Sequence, residues 1–417
     1  DTADNLAPLA QDGAPKYPVG QVIFDVNGEY ANANMQDNGT AIFELYKEKV
    51  VRFSVLEKAG FRVMKINFFK EINTGFELIA NYFSEKGDKS DYLNNFLAVS
   101  LEKPDDYDND RSVKTRFDRR KAAYLCCLYR AGFKLPANFR IQFQGAKDIN
   151  EKVREGGIDP SRGISPEDAI IWFEQIWKNY NDWDYFKKKQ QKEGKEWADD
   201  DLKAILVMLT RTKVPGKTSN VSGWLKLKTA DLLNLHTNKA DTPFEEVIIG
   251  ELRQGRIVIV DLSQGSPTVK NMFSERLCRR VFDDSMSRFI QNDPNNFIQF
   301  YFEEAHNLFP KKEDKDLSQI YNRIAKEGAK LNLGMIYATQ EVSSISSNIL
   351  KNTQNWFIAH LNNHDELREL KKYYDFEDFI SSLVRFSASN DKGVVRMKTY
   401  TNPYVVPVQI DRFLANR

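Results

Sequence analysis

The chain has 417 residues, of which 41% are hydrophobic, which is enough to bury a sizeable core in two domains or in one domain with a large insertion. Its 60 Lys and Arg residues balance 59 Asp and Glu residues, so no overall field draws it to DNA or to an anionic membrane, and any nucleic-acid contact must come from local clusters. No apolar run approaches the roughly 18 residues of a membrane span and no signal peptide is evident, so we expect a cytoplasmic protein without a membrane partner.

The first predicted strand covers residues 21–25 and ends in an acid, Asp25. Asn27 and Gly28 follow it as a turn signal, because Gly adopts positive φ at little cost. Considered alone, these residues predict a strand and a turn and nothing more. The preceding residues 1–20 contain several Pro and Gly residues and predict a loop.

Two apolar runs, residues 49–55 and 61–68, alternate as strands do and predict a strand pair joined by a short turn. Over residues 72–245 the apolar spacing becomes helical. One helix start is marked by Ser165 as the N-cap and Pro166 in the first helical position. Because strong strands do not interleave these helices, we predict a mainly helical insertion.

Two features of the helical segment resemble phosphate-binding elements. Gly216-Lys217-Thr218 matches the end of the G-x-x-x-x-G-K-[ST] loop, but Arg211 stands where that pattern requires its first Gly, so we predict a surface turn. The other feature is a basic cluster that either contacts phosphates or forms a solvated face partly neutralised by the Asp residues upstream: Lys114, Arg116, Arg119, Arg120 and Lys121.

After residue 255 the pattern alternates between strands and helices. A β-branched run at residues 256–262 predicts a central parallel strand, and a helix follows at residues 269–290. Residues 297–302 predict a buried strand, an amphipathic helix follows around residues 317–325, and residues 333–339 predict the next strand. These elements predict an α/β core built on a mainly parallel sheet. Further strands are predicted near the C-terminus, at residues 356–361, 393–400 and 405–410.

Two adjacent acids, Glu303 and Glu304, directly follow the buried strand at residues 297–302, so this strand would deliver both carboxylates to the end of the sheet. One carboxylate of such a pair can hold Mg²⁺ while its neighbour polarises an attacking water. Gln340, at the end of the next strand, can hydrogen-bond that water or a γ-phosphate. The alternative is an ordinary core strand followed by solvated acids and a polar strand end.

Four motifs in this order resemble those of the HerA branch of the HerA/FtsK ATPases: VIFDVNGEY at residues 22–30, FEEAHN at 302–307, RIAKEGAK at 323–330 and ATQ at 338–340. The resemblance covers about residues 20–30 and 250–365. It implies a RecA-like P-loop NTPase core interrupted by a large helical insertion. The implied domains are the first part of the core at residues 1–70 and the insertion at residues 71–250. The second part of the core, with a C-terminal brace, is implied at residues 251–417.

The resemblance further implies a hexameric ring that hydrolyses ATP with Mg²⁺ at subunit interfaces and moves double-stranded DNA through its channel. Carried over by position, Glu303 corresponds to the metal-coordinating acid, Glu304 to the catalytic base and Gln340 to the sensor amide. The motif after the first strand is expected to contribute to nucleotide binding through Asp25, Gly28 and Glu29.

The chain departs from the family pattern at three places. At one of them, Glu341-Val342 follow Gln340, where the family usually continues Arg-Pro. Residues 1–20 contain no Walker A loop, so either an upstream part of the protein lies outside this chain, which we expect, or the ATPase is degenerate. Lys326 stands where the family motif begins with Arg, and a Lys lacks the guanidinium fork. The cations that could act on a neighbouring subunit's γ-phosphate are therefore Lys326, Lys330 and Arg323, one turn earlier.

Three functional hypotheses follow. The first is an ATP-driven DNA translocase or helicase that works in DNA repair or antiphage defence with a separate nuclease or a sirtuin-type effector. The second is an oligomeric scaffold in which nucleotide binding controls a partner's activity without essential DNA movement. The third is a degenerate binding module without catalysis. The three cysteines show neither a disulfide framework nor zinc-ligand spacing, which fits a reducing cytoplasm.

Overall fold

The computed structural model describes residues 18–33, 40–55, 57–194, 196–218, 220–239, 242–264, 266–311, 319–359, 361, 363–373 and 393–411. The chain divides into two compact units. The sheet unit comprises residues 1–64 and 242–417, and the helical unit comprises residues 65–241. Among the described residues, no helix is both long and apolar enough to cross a membrane.

The sheet unit is built on six parallel strands in the order β3-β2-β4-β1-β5-β6. Their bounds are β1 Gly20–Asp25, β2 Val50–Ser54, β3 Arg62–Val63, β4 Ile257–Asp261, β5 Ile298–Phe302 and β6 Leu333–Tyr337. The predicted α/β class with a mainly parallel sheet is confirmed. Each inner strand runs from a buried apolar segment towards the same edge of the sheet, where polar residues follow.

The centre of the sheet is held by apolar side chains of β4, β1 and β5. Val258, Ile259 and Val260 are completely buried, as expected for a strand covered on both faces. Phe24 of β1 and Phe302 of β5 are register partners, and their rings stack with centroids 4.9 Å apart. This contact fixes the ends of the two strands that carry the acids of the candidate site.

The predicted strand pair at residues 49–55 and 61–68 forms as β2 and β3, but the two strands are parallel and β3 has two residues. Parallel strands cannot be joined by a two-residue hairpin turn. β2 pairs along its whole length with β4, which lies about 200 residues further along the chain, and this non-local pairing sets its direction.

The helices among the described residues, in chain order, are α1 Ile42–Leu45, α2 Ile72–Lys86, α3 Asp91–Leu97, α4 Arg111–Arg130, α5 Lys147–Lys152, α6 Pro166–Asn179, α7 Asp184–Glu193, α8 Asp200–Thr210, α9 Ala230–Asn234, α10 Phe244–Arg253, α11 Pro267–Gln291, α12 Ile320–Glu327, α13 Ser347–Asn352 and α14 His364–Lys371. α10 packs on β1 and β4, and α11 packs against α10 and α12. The insertion predicted for residues 71–250 therefore extends into α10, a helix that belongs to the sheet unit.

The helical unit contains α2 to α9, and its core is dominated by aromatic side chains. α4 packs against α6 and α8, and Trp172 and Phe173 of α6 are completely buried. The predicted start of α6 is confirmed, because Ser165 Oγ accepts a hydrogen bond from Asp168 N at 3.1 Å. Gly216 has a φ of 75° in an exposed turn, and the predicted surface turn is confirmed.

A second sheet lies in the C-terminal part of the sheet unit. β7 Trp356–Ile358 pairs antiparallel with β8 Val394–Thr399, which forms a hairpin with β9 Asn402–Gln409. The predicted strand and closing hairpin are confirmed. Several large side chains of this sheet and its turns are exposed, among them Phe357, Tyr400 and Tyr404.

Candidate active site at the ends of the parallel strands

The end of β1 is organised by Asp25, whose side chain is completely buried. Its Oδ1 accepts hydrogen bonds from the backbone N of Gly28 at 2.7 Å and of Glu29 at 3.0 Å. Its Oδ2 accepts from Tyr30 N at 3.0 Å and Ala31 N at 2.7 Å. Burial raises the pKa of Asp25, and these hydrogen bonds oppose that rise. Asp25 thus fixes the loop after β1. Within this loop, Gly28 adopts a positive φ of 84°.

Asp261, the register partner of Asp25 at the end of β4, is also completely buried. Its Oδ1 accepts from Ser263 N at 3.0 Å and from Ser263 Oγ at 2.6 Å, and its Oδ2 lies 3.3 Å from Lys58 Nζ. Lys58 also donates to the side chain of Asn32 in the loop after β1. The sequence pattern indicated no role for Asp261 or Lys58. The signal for Asp261 was its position after the predicted strand, but nothing in the sequence marked Lys58.

Glu303 follows β5 and carries the unsatisfied charge of the site. Its Oε2 is buried and has no hydrogen-bond partner in the described part of the chain. Burial, followed by the charges of Glu29, Asp25 and Glu304, raises the pKa of Glu303 to about 7. Burial and the charge of Glu303 also raise the pKa of the nearby Tyr30 phenol. A concentration of carboxylates of this kind favours a bound cation.

The site fits Mg²⁺, because the unpartnered carboxylate oxygen of Glu303 is a hard oxygen ligand of the kind that this ion prefers. The described residues contain no ready cluster of three metal-ligating side chains. This agrees with the usual mode of Mg²⁺ binding, in which one or two carboxylates act together with water and the phosphates of a substrate.

Glu304 lies next to Glu303 in a left-handed backbone conformation, with φ 46° and ψ 49°. Gln340 Nε2 donates a hydrogen bond to Glu304 Oε1 at 3.0 Å, and His306 Nδ1 lies 3.5 Å from Glu304 Oε2. The same His306 nitrogen is 3.1 Å from Thr339 Oγ1. The structure therefore brings together two residues that the sequence assigned to catalysis, Glu304 and Gln340, and adds two supporting side chains from the same two loops.

The three predicted cations of α12 and the turn after it lie apart from this network. The Arg323 guanidinium stacks 4.3 Å above the Phe282 ring and lies 4.0 Å from Glu327 Oε1. Lys326 and Lys330 are exposed. Within the described ranges, none of these cations has a hydrogen bond or salt bridge to Glu303 or Glu304.

The fold and the site together define an α/β protein with an acid pair at the end of an inner parallel strand and an amide on the strand beside it. No protein-family model matches the chain. The chain is 27% identical over 198 residues to the DNA double-strand break repair helicase HerA of Sulfolobus acidocaldarius, covering 45% of this chain and 37% of that protein. It is 24% identical over 146 residues to the same-named protein of Saccharolobus solfataricus, covering 34% of this chain and 29% of the relative. The chain thus spans about a third of the length of these relatives.

Among solved structures, the chain is similar to the genome packaging NTPase B204 of Sulfolobus turreted icosahedral virus 2, with 15% identity, a TM-score of 0.28, and coverage of 37% of this chain and 66% of that one. It is also similar to the bacterial conjugative coupling protein TrwB, with 9% identity, a TM-score of 0.39, and coverage of 96% of this chain and 80% of that one. The two HerA relatives confirm the predicted resemblance to HerA-like ATPases.

Proposed function

We propose that the chain is the core of an ATP-driven motor that moves or unwinds double-stranded DNA as a hexameric ring. The observation that carries this proposal is the end of β5, where the buried Glu303 oxygen lacks a partner among the described residues and Glu304 is held by Gln340. The similarity to two proteins named DNA double-strand break repair helicase HerA supports the choice of DNA as the substrate.

In the proposed reaction, Glu303 would hold Mg²⁺ through its unpartnered oxygen, and Glu304 would orient the attacking water and take its proton. When bound, Mg²⁺ supplies positive charge that neutralises the phosphates. Gln340 fixes one carboxylate oxygen of Glu304 and so limits the directions in which Glu304 can accept the proton. Asp25 acts indirectly, because its carboxylate is fully engaged in shaping the loop that carries Gly28 and Glu29.

The positive charge for the γ-phosphate comes, in this proposal, from a neighbouring copy of the chain. Lys326 and Lys330 are exposed and, within the described ranges, form no salt bridge with Glu303 or Glu304 of their own subunit. The Arg323 guanidinium lies 4.3 Å above the Phe282 ring, which holds it in place. Cations that act between subunits make ATP hydrolysis depend on assembly of the ring.

The decisive experiment measures ATP turnover of the protein extended upstream to include the expected phosphate-binding loop, with and without double-stranded DNA, in the wild type and in Glu304→Gln. We expect DNA-stimulated turnover in the wild type and a loss of about 100-fold or more in Glu304→Gln, with nucleotide binding retained. Glu48→Gln is the matched control, because it removes the same charge from an exposed turn of the sheet unit. Equal turnover in all three proteins would overturn the motor proposal.

The alternative is a nucleotide-controlled scaffold that assembles and activates a partner enzyme, such as a nuclease or a sirtuin-type effector in antiphage defence. The exposed side chains of the second sheet favour a protein contact, since Phe357, Tyr400 and Tyr404 are 61%, 78% and 76% exposed. A Glu304→Gln variant that retains partner activation after losing ATP turnover would favour the scaffold. A cytoplasmic location is part of both proposals.

A further inference from the structure

The helical unit contains a cavity of about 670 Å³ with a basic and aromatic wall. Four cationic side chains line it, namely Arg111, Lys114, Lys121 and Arg140. The lining also includes one acid, Asp118, but its Oδ1 already accepts a hydrogen bond from the Tyr107 hydroxyl at 2.8 Å. A concave surface in which cations outnumber acids concentrates a positive field inside it and attracts anions.

No salt bridge joins any of these four cations to another described residue. The rest of the basic cluster seen in the sequence behaves differently. Arg119 is buried with its guanidinium 4.2 Å above the Trp197 ring, and Arg120 forms salt bridges to Asp199 at 3.2 Å and Asp201 at 2.7 Å. Within the cluster, Arg119 and Arg120 thus have structural contacts, whereas Lys114 and Lys121 line the cavity.

A second cavity in the same unit provides a comparison, because two of its cations have internal partners. It measures about 590 Å³ and is lined by Lys89, Arg211, Lys213 and Lys226, among others. There, Lys226 forms a salt bridge to Asp88 at 2.6 Å and Arg211 Nε donates to Val221 O at 3.2 Å. Among the described residues, the four cations of the larger cavity form no such salt bridge, so their charges are available to an anionic ligand.

The aromatic part of the larger cavity suits a flat ring. Tyr107 and Phe139 line it and are both half-buried, so each presents part of its ring to the interior. Phe139 is held in place by an edge contact with the buried Phe69, with centroids 5.0 Å apart. Lys114 Nζ lies 5.3 Å from the Tyr107 centroid, so a cation and an aromatic face lie side by side. Adjacent cations and aromatic faces are the combination that binds nucleotide phosphates and bases.

We propose that this cavity binds a nucleotide unit of a single-stranded nucleic acid, with phosphates on Lys114, Lys121, Arg111 and Arg140 and the base against Tyr107 and Phe139. A single strand is favoured over a duplex because the cavity is concave, and a base can enter it only when its face is free of stacking. The proposal concerns the helical unit alone and does not rest on ATP hydrolysis by the sheet unit.

The test is fluorescence anisotropy of a labelled oligothymidine strand with the full chain and with Lys114→Glu/Lys121→Glu. The matched control is Lys187→Glu/Lys188→Glu, which makes the same charge change at two exposed residues of α7 that do not line the cavity. We expect the dissociation constant to rise about tenfold or more in the cavity variant and less than about twofold in the control. Loss of two phosphate contacts should also reduce the magnitude of the salt-dependence slope by about 1.4, at about 0.7 per contact with a single strand.

Arg140→Gln provides a second, milder variant at an exposed side chain, and thermal melting checks that each variant is folded. Three competitors separate the possible ligands: thymidine monophosphate, inorganic tripolyphosphate and the corresponding duplex. The proposal is supported if the single strand competes best and both cavity variants weaken it. It is overturned if the control variant loses as much affinity, if tripolyphosphate or the duplex competes equally well, or if the mononucleotide alone binds.

Discussion

Gln340 donates a 3.0 Å hydrogen bond to the carboxylate of Glu304, which joins the loop after β6 to the loop after β5. If Glu304 is the proposed base, Gln340 is a positioning residue whose removal leaves Glu304 chemically intact but less well oriented. We expect Gln340→Ala to lower kcat for ATP by about 100-fold, the size of effect produced by a misplacement of about 1 Å, with a smaller change in KM.

Gln340→Glu is the companion variant, because it preserves side-chain size and replaces the donor by a second carboxylate beside Glu304. Its activity should recover at lower pH, where one of the two carboxylates is protonated and can donate. A pH profile of kcat in steady-state assays checks this. An unchanged kcat in Gln340→Ala, or a pH profile of Gln340→Glu equal to that of the wild type, would show that the hydrogen bond has no part in turnover.

The raised pKa of Glu303 predicts a dependence of stability on pH. Its ordinary value is 4.5 and its folded value is about 7, so between these pH values the folded chain holds a proton that the unfolded chain releases. Glu303 therefore stabilises the fold least above pH 7. We expect Glu303→Gln to equal the wild type near pH 4.5 and to exceed it in free energy of unfolding near pH 8 by on the order of 1 kcal/mol, allowing for solvent screening.

The same variant tests the metal site. At the higher pH, millimolar Mg²⁺ should raise the melting temperature of the wild type, because the ion binds the ionised carboxylate, and should leave that of Glu303→Gln unchanged. Glu48→Gln should respond to Mg²⁺ as the wild type does, since it lies on an exposed turn. A melting-temperature rise of equal size in all three proteins would place the ion elsewhere.

The ends of the central strands could be predicted from the sequence because apolar runs there stop at acids or amides. From this local pattern, Asp25, Glu303 and Gln340 could be assigned to the edge of the sheet. It could not predict the role of Asp25, because that role depends on how the loop after β1 folds. The backbone N–H groups of this loop donate hydrogen bonds to both carboxylate oxygens of Asp25. A local sequence pattern states which residue follows a strand but not which groups surround it.

Pairings between distant segments could also not be predicted from the sequence. Lys58 and Asp261 are 203 residues apart and meet because β2 lies beside β4 in the folded sheet. The direction of β3 was missed for the same reason, since two alternating runs joined by a few residues usually form a hairpin. The division of the basic cluster in the helical unit likewise depends on acids and rings contributed by other helices.

The four backbone hydrogen bonds to Asp25 predict that its charge and both of its oxygens matter to stability. In Asp25→Asn, an NH₂ group replaces one carboxylate oxygen and cannot accept a hydrogen bond. Depending on the orientation of the amide, the unpaired donors are the backbone N–H groups of Tyr30 and Ala31 or those of Gly28 and Glu29. Leaving buried donors unpaired should cost about 3 kcal/mol and expose the loop to hydrogen exchange. Asp110→Asn is the control, because Asp110 caps α4 on the surface and Asn caps helices as well as Asp does. Urea unfolding with hydrogen exchange at residues 28–31 measures both effects, and equal midpoints for the two variants would contradict the prediction.

The left-handed backbone of Glu304 predicts an unusual ranking of substitutions. At a φ of 46° a residue with a Cβ is strained by roughly 1 kcal/mol relative to Gly, so Glu304→Gly should be more stable than Glu304→Ala by about that amount, although both lose the bond to Gln340. The reverse order holds inside a helix, where Ala325→Gly in α12 should cost about 1 kcal/mol. Thermal melting of the three variants ranks them. If Glu304→Ala is the more stable of the pair, the loop relaxes when the carboxylate is removed, and the strain is then a consequence of the Glu304–Gln340 bond and not of the backbone around it.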